Sequence, residues 1–172
     1  MFCSPTPGYP ADFPKTPPVT MGGFTAWIYS AMGVPQAALP ENSPWIEYAY
    51  AVACATVNLQ VSAVPGPIYL LAVYNLGGDR LVNWAPDQPG VLYPDGNPTG
   101  LGYWAFLRQQ YNINTFVAGV INASSDESTS ESLTVPSVFE SLTPDQLQNL
   151  NTPWGRNYLG FASKINSVWG IN

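Results

Sequence analysis

The residues of this chain that could do chemistry are few and form no catalytic set. The sequence contains no histidine, which removes the commonest general base and the commonest metal ligand. Serine and cysteine nucleophiles therefore lack an imidazole partner, and no Gly-x-Ser-x-Gly turn occurs. Two paired carboxylates could cleave a glycosidic bond, but no spacing pairs the candidates, which are Glu41, Glu47, Asp79 and Glu140. We therefore expect that the protein is not an enzyme.

The sequence also lacks metal and cofactor motifs. Asp126, Glu127 and Glu131 lie in one polar segment, but their spacing fits no calcium-binding loop, so we interpret the segment as a solvated tip. The glycine pair at 77–78 has no strand before it and no Lys-Ser/Thr after it, as a phosphate-binding loop requires. It predicts a kink or a break in a helix. We expect no metal and no cofactor.

Composition limits the partners that the protein can have. The 172 residues carry eleven acidic and five basic side chains, for a formal charge of −6. This balance argues against binding nucleic acid through a basic surface and against docking on an anionic membrane. Only 9% of the residues are charged and 13% are aromatic, which is typical of a subunit that buries surface against its neighbours. We expect one domain that forms a homo-oligomer.

The cysteines and the apolar segments predict neither a disulfide framework nor a membrane span. Cys3 and Cys54 are the only cysteines, and the N-terminal residues lack the pattern of a signal peptide. The uncharged stretch at 48–78 is interrupted by polar residues and by Pro-Gly-Pro, so each half is shorter than the ~20 residues that a spanning helix needs. We interpret it as a buried helical hairpin in a cytoplasmic protein.

The pattern of apolar residues predicts a mainly α fold. We expect a small bundle of about five helices, a protruding β-hairpin or long loop, and an extended proline-rich N-terminal arm. The arm covers residues 1–22, and a single helical domain covers residues 23–172, with the hairpin at about 114–138. Two Thr-Pro pairs, at 143–144 and 152–153, predict helix starts in the C-terminal region.

Six prolines occupy the first twenty residues, so this segment cannot form a helix and favours polyproline II geometry. A disordered tail is one interpretation. The alternative is an arm that lies along a neighbouring subunit, with three aromatic anchors: Phe2, Tyr9 and Phe13.

The C-terminal half resembles a known protein family. A polar segment at 123–133, Ala-Ser-Ser-Asp-Glu-Ser-Thr-Ser-Glu-Ser-Leu, is followed at 152–159 by Thr-Pro-Trp-Gly-Arg-Asn-Tyr-Leu. This order, after a four-helix start, resembles the head–tail adaptor (connector or head-completion) proteins of tailed bacteriophages. Members of one such group carry a Ser/Val-rich hairpin followed by a Thr-Pro-Tyr-Gly-x-x-Tyr-Leu helix. The element order matches over most of residues 23–166, and Trp154 stands where the family usually has tyrosine.

The resemblance implies a structural protein of the virion neck. Copies would form a ring, plausibly twelvefold, between the portal protein and a tail or neck protein, assembled in the host cytoplasm. Double-stranded DNA would pass through the ring without specific binding, since an acidic subunit repels phosphate. The hairpin tip would reach an adjacent subunit or ring, and terminal segments would clamp partners. The predicted interface residues are Phe2, Tyr9, Phe13, Asn122, Ser125, Asp126, Glu127, Ser128, Trp154, Arg156 and Trp169.

Three other functions remain open from the sequence. One is a tail-terminator or head-decoration subunit, classes that are more often rich in β-structure. A second is a carbohydrate-binding or hydrolytic virion protein, with four tryptophans as candidate sugar platforms: Trp27, Trp45, Trp84 and Trp104. The third is a host-encoded helical interaction module.

Overall fold

A computed structural model of the chain confirms the mainly helical fold. It describes residues 18–58, 67–93, 100–115, 123–126, 129–132 and 143–163. Within these ranges the chain forms six α-helices and one 3-10 turn, Ile113–Thr115. The helices are α1 (Met21–Ser30), α2 (Pro44–Thr56), α3 (Ile68–Trp84), α4 (Tyr103–Gln110), α5 (Pro144–Asn149) and α6 (Pro153–Ser163).

Helix α3 is the centre of the fold. All of its residues from 72 to 79 are buried, and it packs most extensively against α6 and α2, with smaller contacts to α1 and α4. The 17-residue segment is apolar on nearly every side, which is typical of a helix surrounded by others rather than one at the surface. In the part of the chain that the structure describes, no helix is both long and apolar enough to cross a bilayer.

Helix α1 begins at Met21, two residues before the start that we predict at Gly23. The reason is the cap at Thr20, whose hydroxyl accepts a hydrogen bond from the Gly23 amide at 3.1 Å. Phe24 and Ile28 are fully buried, and their side chains form the contact of α1 with the core.

The glycine pair at 77–78 predicts a kink or a break, and a break does not occur, because α3 continues without interruption to Trp84. The two glycines instead permit close packing. A Cβ on Gly77 would lie 2.6 Å from Cζ of Phe24, and a Cβ on Gly78 would lie 2.9 Å from Sδ of Met32. The absence of side chains at these positions therefore lets α1 and the loop after it approach α3.

The junction of α3 and α4 is held by two charged side chains. Asp87 accepts hydrogen bonds from the Trp104 amide at 2.6 Å and the Ala105 amide at 3.2 Å, so it caps α4 from fifteen or more residues away. Arg108 donates to the carbonyls of Val82, at 2.8 Å, and Ala85. These carbonyls lie at the negative end of α3, where a cation is favourable.

Two short strands, β1 (Ala123–Asp126) and β2 (Thr129–Ser132), pair antiparallel. Ala123 lies opposite Ser132, and Asp126 lies opposite Thr129. The paired backbone thus lies within the segment that we interpreted as a polar tip. Most of the 114–138 range falls outside the described residues, so the hairpin with those bounds stays a prediction.

Replacing Gly77 by alanine tests the close approach of α1 to α3. The added methyl group would overlap the fully buried ring of Phe24, and overpacking costs about 1–3 kcal/mol of unfolding free energy, more than the gain in helix propensity. We expect Gly77→Ala to lower the free energy of unfolding in urea by about 1–2 kcal/mol. Gly160→Ala is the matched control, since a Cβ there meets no atom within 4 Å, and it should leave stability equal or slightly higher. A Gly77→Ala protein as stable as wild type would contradict this packing.

Candidate functional site

The structure describes the side chains of two predicted interface residues, Trp154 and Arg156. Ser125 and Asp126 lie in β1, where only the backbone is described. The remaining predicted interface residues lie outside the described residues, and their roles stay predictions: Phe2, Tyr9, Phe13, Asn122, Glu127, Ser128 and Trp169.

Thr152, the first residue of the family-like motif, joins α6 to α3. Its hydroxyl accepts a hydrogen bond from the Gly155 amide at 2.9 Å, as an N-cap does. The same hydroxyl donates to Oδ1 of Asp79, in the middle of α3, at 2.5 Å. Both side chains are fully buried. One hydroxyl therefore caps α6 and fixes where α6 sits on α3.

Gly155 makes this arrangement possible. A Cβ at this position would collide with the backbone carbonyl of Asn149 and would lie 2.8 Å from Oδ1 of Asp79. The start of α6 is thus pressed against both the end of α5 and the middle of α3. Only glycine leaves room for that approach without moving backbone atoms.

Trp154 and Arg156 also contact their own chain. The half-buried Trp154 ring meets the edge of Tyr111 at a centroid distance of 5.9 Å. The exposed Arg156 guanidinium donates to the carbonyls of Leu150 at 2.9 Å and Asn151 at 3.3 Å, just after α5. Both side chains therefore have contact partners within their own subunit. Their predicted contact with a neighbouring subunit or partner protein stays a prediction.

The Thr152 bond belongs to a longer line of polar side chains on α3, which we call the polar seam. Asn75, Asp79 and Asn83 follow one another at i, i+4 and i+8, so they share one face of the helix. Each meets a polar partner from the C-terminal region. Asn157 donates to Asn75 at 3.3 Å, Thr152 donates to Asp79, and Gln148 donates to Asn83 at 3.3 Å.

The polar seam was not predicted from the sequence. The signal was present, because Asn75, Asp79 and Asn83 stand at four-residue spacing in a segment whose other residues, Arg80 excepted, are apolar or glycine. Such a stripe predicts a polar contact along one helix face. The identity of the partners had no signal, since they lie more than sixty residues away.

Burial dominates the electrostatics of Asp79. Removal of the carboxylate from water raises its pKa from 3.8 to about 6, while the Thr152 hydrogen bond and the charge of Arg80 oppose this rise. Arg80 lies close by, with Nη1 3.6 Å from Oδ2 of Asp79, and its guanidinium also lies over the ring of Trp84, 5.8 Å from the centroid. The side-chain amide of Asn83 points to Oδ2 at 3.4 Å. The carboxyl group is therefore satisfied but costly to ionise.

The polar seam has the chemistry of a hydrogen-bonded contact between α3 and the C-terminal region of the same chain. The hydrogen-bond partners that Asp79 meets are a hydroxyl and an amide, not a second carboxylate. Among the residues that the structure describes, no group of three or more His, Cys, Asp or Glu side chains could hold a metal ion. Two further polar atoms beside the seam, Oδ1 of Asn149 and Nδ2 of Asn151, are buried without a hydrogen-bond partner in the described chain.

A second candidate surface lies on the outer side of α2. Tyr48 is 53% exposed and Val52 is 37% exposed, and Ala51 and Ala55 are exposed beside them. Trp45 meets the edge of Tyr48 at a centroid distance of 5.9 Å, which extends the apolar surface by one turn. We call these five residues the α2 face. Apolar side chains grouped in this way mark a contact with another molecule more often than isolated ones do.

All three arginines in the described ranges are engaged within the subunit. Arg80 contacts Asp79 and Trp84, Arg108 binds the end of α3, and Arg156 binds the carbonyls after α5. The described surface therefore offers no unengaged guanidinium for a phosphate, while Glu41 and Glu47 are exposed. Among the described side chains, the exposed charged ones are therefore two glutamates and Arg156, which is hydrogen-bonded to its own chain.

The raised pKa of Asp79 predicts that one component of the free energy of unfolding depends on pH. The folded protein holds the proton up to about pH 6, whereas the unfolded chain releases it near 3.8. Because the folded state binds more protons between these values, this component is fully present below pH 3.8 and is lost as pH rises through 6. The loss is about 3 kcal/mol at 1.36 kcal/mol for each pKa unit.

Asp79→Asn isolates this component, because the amide keeps an acceptor for Thr152 and carries no charge at any pH. We compare the two proteins by the difference in unfolding free energy, Asp79→Asn minus wild type. We expect this difference to increase by about 2–3 kcal/mol between pH 4 and pH 7, because only the wild type loses the component. Glu47→Gln removes the same charge from an exposed position and should shift stability by less than about 0.5 kcal/mol. A difference that stays constant with pH would show that Asp79 does not titrate in the folded protein as stated.

Comparison of this chain with protein-family models, with curated proteins and with solved structures found no match.

Proposed function

We propose that this protein is a structural subunit of a tailed-phage virion, a head–tail adaptor whose copies form a ring between the portal and the tail. In this role the ring extends the DNA channel and docks tail components. The protein acts by shape and contact rather than by catalysis, and it needs no cofactor.

The observation that carries the proposal is the α2 face. A helix with a single charged residue, Glu47, exposes Tyr48 and Val52 together with two alanines. Burial of such a face against a neighbouring copy removes apolar surface from water at about 25 cal/mol for each Å². Its aromatic pair and its poverty in charge match the cores of protein–protein interfaces.

The distribution of charge supports a channel that does not hold DNA. Phosphate-binding proteins present free lysine and arginine side chains. Here the arginines at 80, 108 and 156 bind this chain's own groups, and the chain carries an excess of acidic residues. A lining of this kind leaves DNA free to pass.

The family-like motif at 152–159 supports the proposal through what its residues do. Thr152 caps α6 and binds α3, and Gly155 permits the close approach of the two helices. These roles explain why threonine stands at 152 and glycine at 155. The resemblance therefore includes residues that have a structural role in this chain. These roles do not need tyrosine at 154, where tryptophan also packs its ring against Tyr111.

The mainly helical fold favours an adaptor over a tail terminator or a head-decoration protein, which are more often rich in β-structure. Two of the four candidate tryptophans disfavour a carbohydrate-binding role, whereas Trp84 is 39% exposed and Trp45 is half-buried. Trp104 is fully buried, with its ring N–H donating to the carbonyl of Ala38 at 3.2 Å. Trp27 is half-buried and stacks on Phe24 at a centroid distance of 6.2 Å. Neither ring offers a free face for a sugar.

The ring is tested by sedimentation and negative-stain images of the full-length chain with and without a charge on the α2 face. We expect rings from wild type, and at least a tenfold weaker self-association for Val52→Lys, because an ammonium group would be buried at the contact. Gln109→Lys adds the same charge at an exposed position on α4 and should assemble as wild type does. A wild-type chain that stays monomeric in a neck preparation, or a Val52→Lys chain that assembles normally, would refute the proposed role of this face.

A further inference from the structure

The α2 face has a candidate occupant in the residues that precede the described chain. The described chain starts at Pro18, and its first residues are bound to the bundle. The Tyr50 hydroxyl donates to the carbonyl of Val19 at 3.2 Å, and the Tyr74 hydroxyl donates to the carbonyl of Thr20 at 3.1 Å. The described chain therefore begins at a fixed point beside α2 and α3.

This point and the α2 face lie on different sides of the same helix. At about 100° for each residue, Tyr48 and Val52 are each about 200° around α2 from Tyr50. Tyr50 binds the carbonyl of Val19 on the side of α2 that packs against the core, whereas Tyr48 and Val52 point to solvent. Each subunit thus has a point where the arm leaves and a separate surface where an arm can bind.

The chemistry of residues 1–17 fits the α2 face. A proline-rich segment is extended before it binds and docks on surfaces lined by aromatic rings. The edge-to-face pair of Trp45 and Tyr48 provides such rings. The arm carries one acidic and one basic residue, Asp12 and Lys15, and Lys15 can pair with the one charged residue of α2, Glu47. The arm also carries three aromatic side chains that can be buried on the face: Phe2, Tyr9 and Phe13.

The length of the arm is sufficient for it to reach a neighbouring subunit. In polyproline II geometry residues 1–17 span about 53 Å at 3.1 Å for each residue, whereas the 13 residues of α2 span about 20 Å. The arm would therefore extend about 30 Å beyond the length of one α2 helix. Its own α2 face is also within this length, so the crosslinking experiment below distinguishes the two faces.

We propose that residues 1–17 of one copy dock along the α2 face of the next copy. The contact joins two different surfaces of the same protein, so it is heterologous, and repetition of such a contact closes into a ring when the rotation permits. This inference deepens the proposed function, since it names the occupant of the α2 face and rests on the association of several copies.

Photo-crosslinking of the full-length chain tests the occupant directly. Benzoylphenylalanine in place of Tyr48 should give a product of twice the chain mass in which residues 1–17 are joined to α2. The same group in place of Gln109, on α4, should give no such product. Phe13→Ser in the Tyr48-substituted chain should lower the yield of the joined peptide several-fold, because one aromatic anchor is lost.

Two results would overturn the docking of the arm while leaving the ring intact. One is a crosslink from position 48 to residues between 18 and 172 of another copy, and the other is a crosslink to residues 1–17 in a product of single-chain mass, which would place the arm on its own subunit. Absence of both rings and two-chain products would overturn the proposed function and this inference together.

Discussion

The hydrogen bond between Thr152 and Asp79 is the interaction on which the rest of the structure depends. A central helix buried on nearly all sides cannot leave a carboxyl group without a partner, because an unsatisfied buried polar group costs several kcal/mol. The partner comes from a residue 73 positions later in the chain, and the same hydroxyl caps α6. The position of α6 on α3 is therefore specified by a polar contact. The apolar residues Tyr158 and Ala162 add buried surface but do little to specify that position. The neighbouring contacts of Asn75 and Asn83 extend this specification along two turns of α3.

Scarcity of charge governs the remainder of the molecule. Five basic residues in 172 leave few cations for solubility or ligand binding, and the three that the structure describes act on backbone carbonyls or buried acids. Arg108 binds the carbonyl end of α3, and Arg156 binds the carbonyls that follow α5. Asp87 performs the opposite task at the amide end of α4. Asp87, Arg108 and Arg156 thus serve the ends of helices, where the peptide dipoles favour them, and the five residues of the α2 face carry no charge.

These two constraints are coherent with a protein that works through contacts. A bundle with a defined interior polar seam holds its surfaces in fixed positions, and an apolar helix face is effective as a contact only if the helix that carries it does not move. The α2 face lies on a helix that packs directly on α3, the element that the seam fixes. A structural subunit of a ring needs such a rigid link between its interior and its contact surface, since small rotations at each contact would add up around the ring.

The sequence by itself determined the helical class and the starts of the two C-terminal helices. Periodic apolar residues and Thr-Pro pairs act within a few residues, so they can be interpreted without the fold; Thr152 before Pro153 is the clearest case. Only the tertiary structure decided which distant residues these segments contact. The glycine pair at 77–78 predicted a kink or a break when considered locally, but Phe24 and Met32 occupy the space that side chains would fill. Likewise, the spacing of Asn75, Asp79 and Asn83 indicates one polar face, yet their partners follow from packing between distant segments. Local pattern fixes conformation because its interactions span one or two turns, whereas burial and pairing depend on which distant surfaces meet.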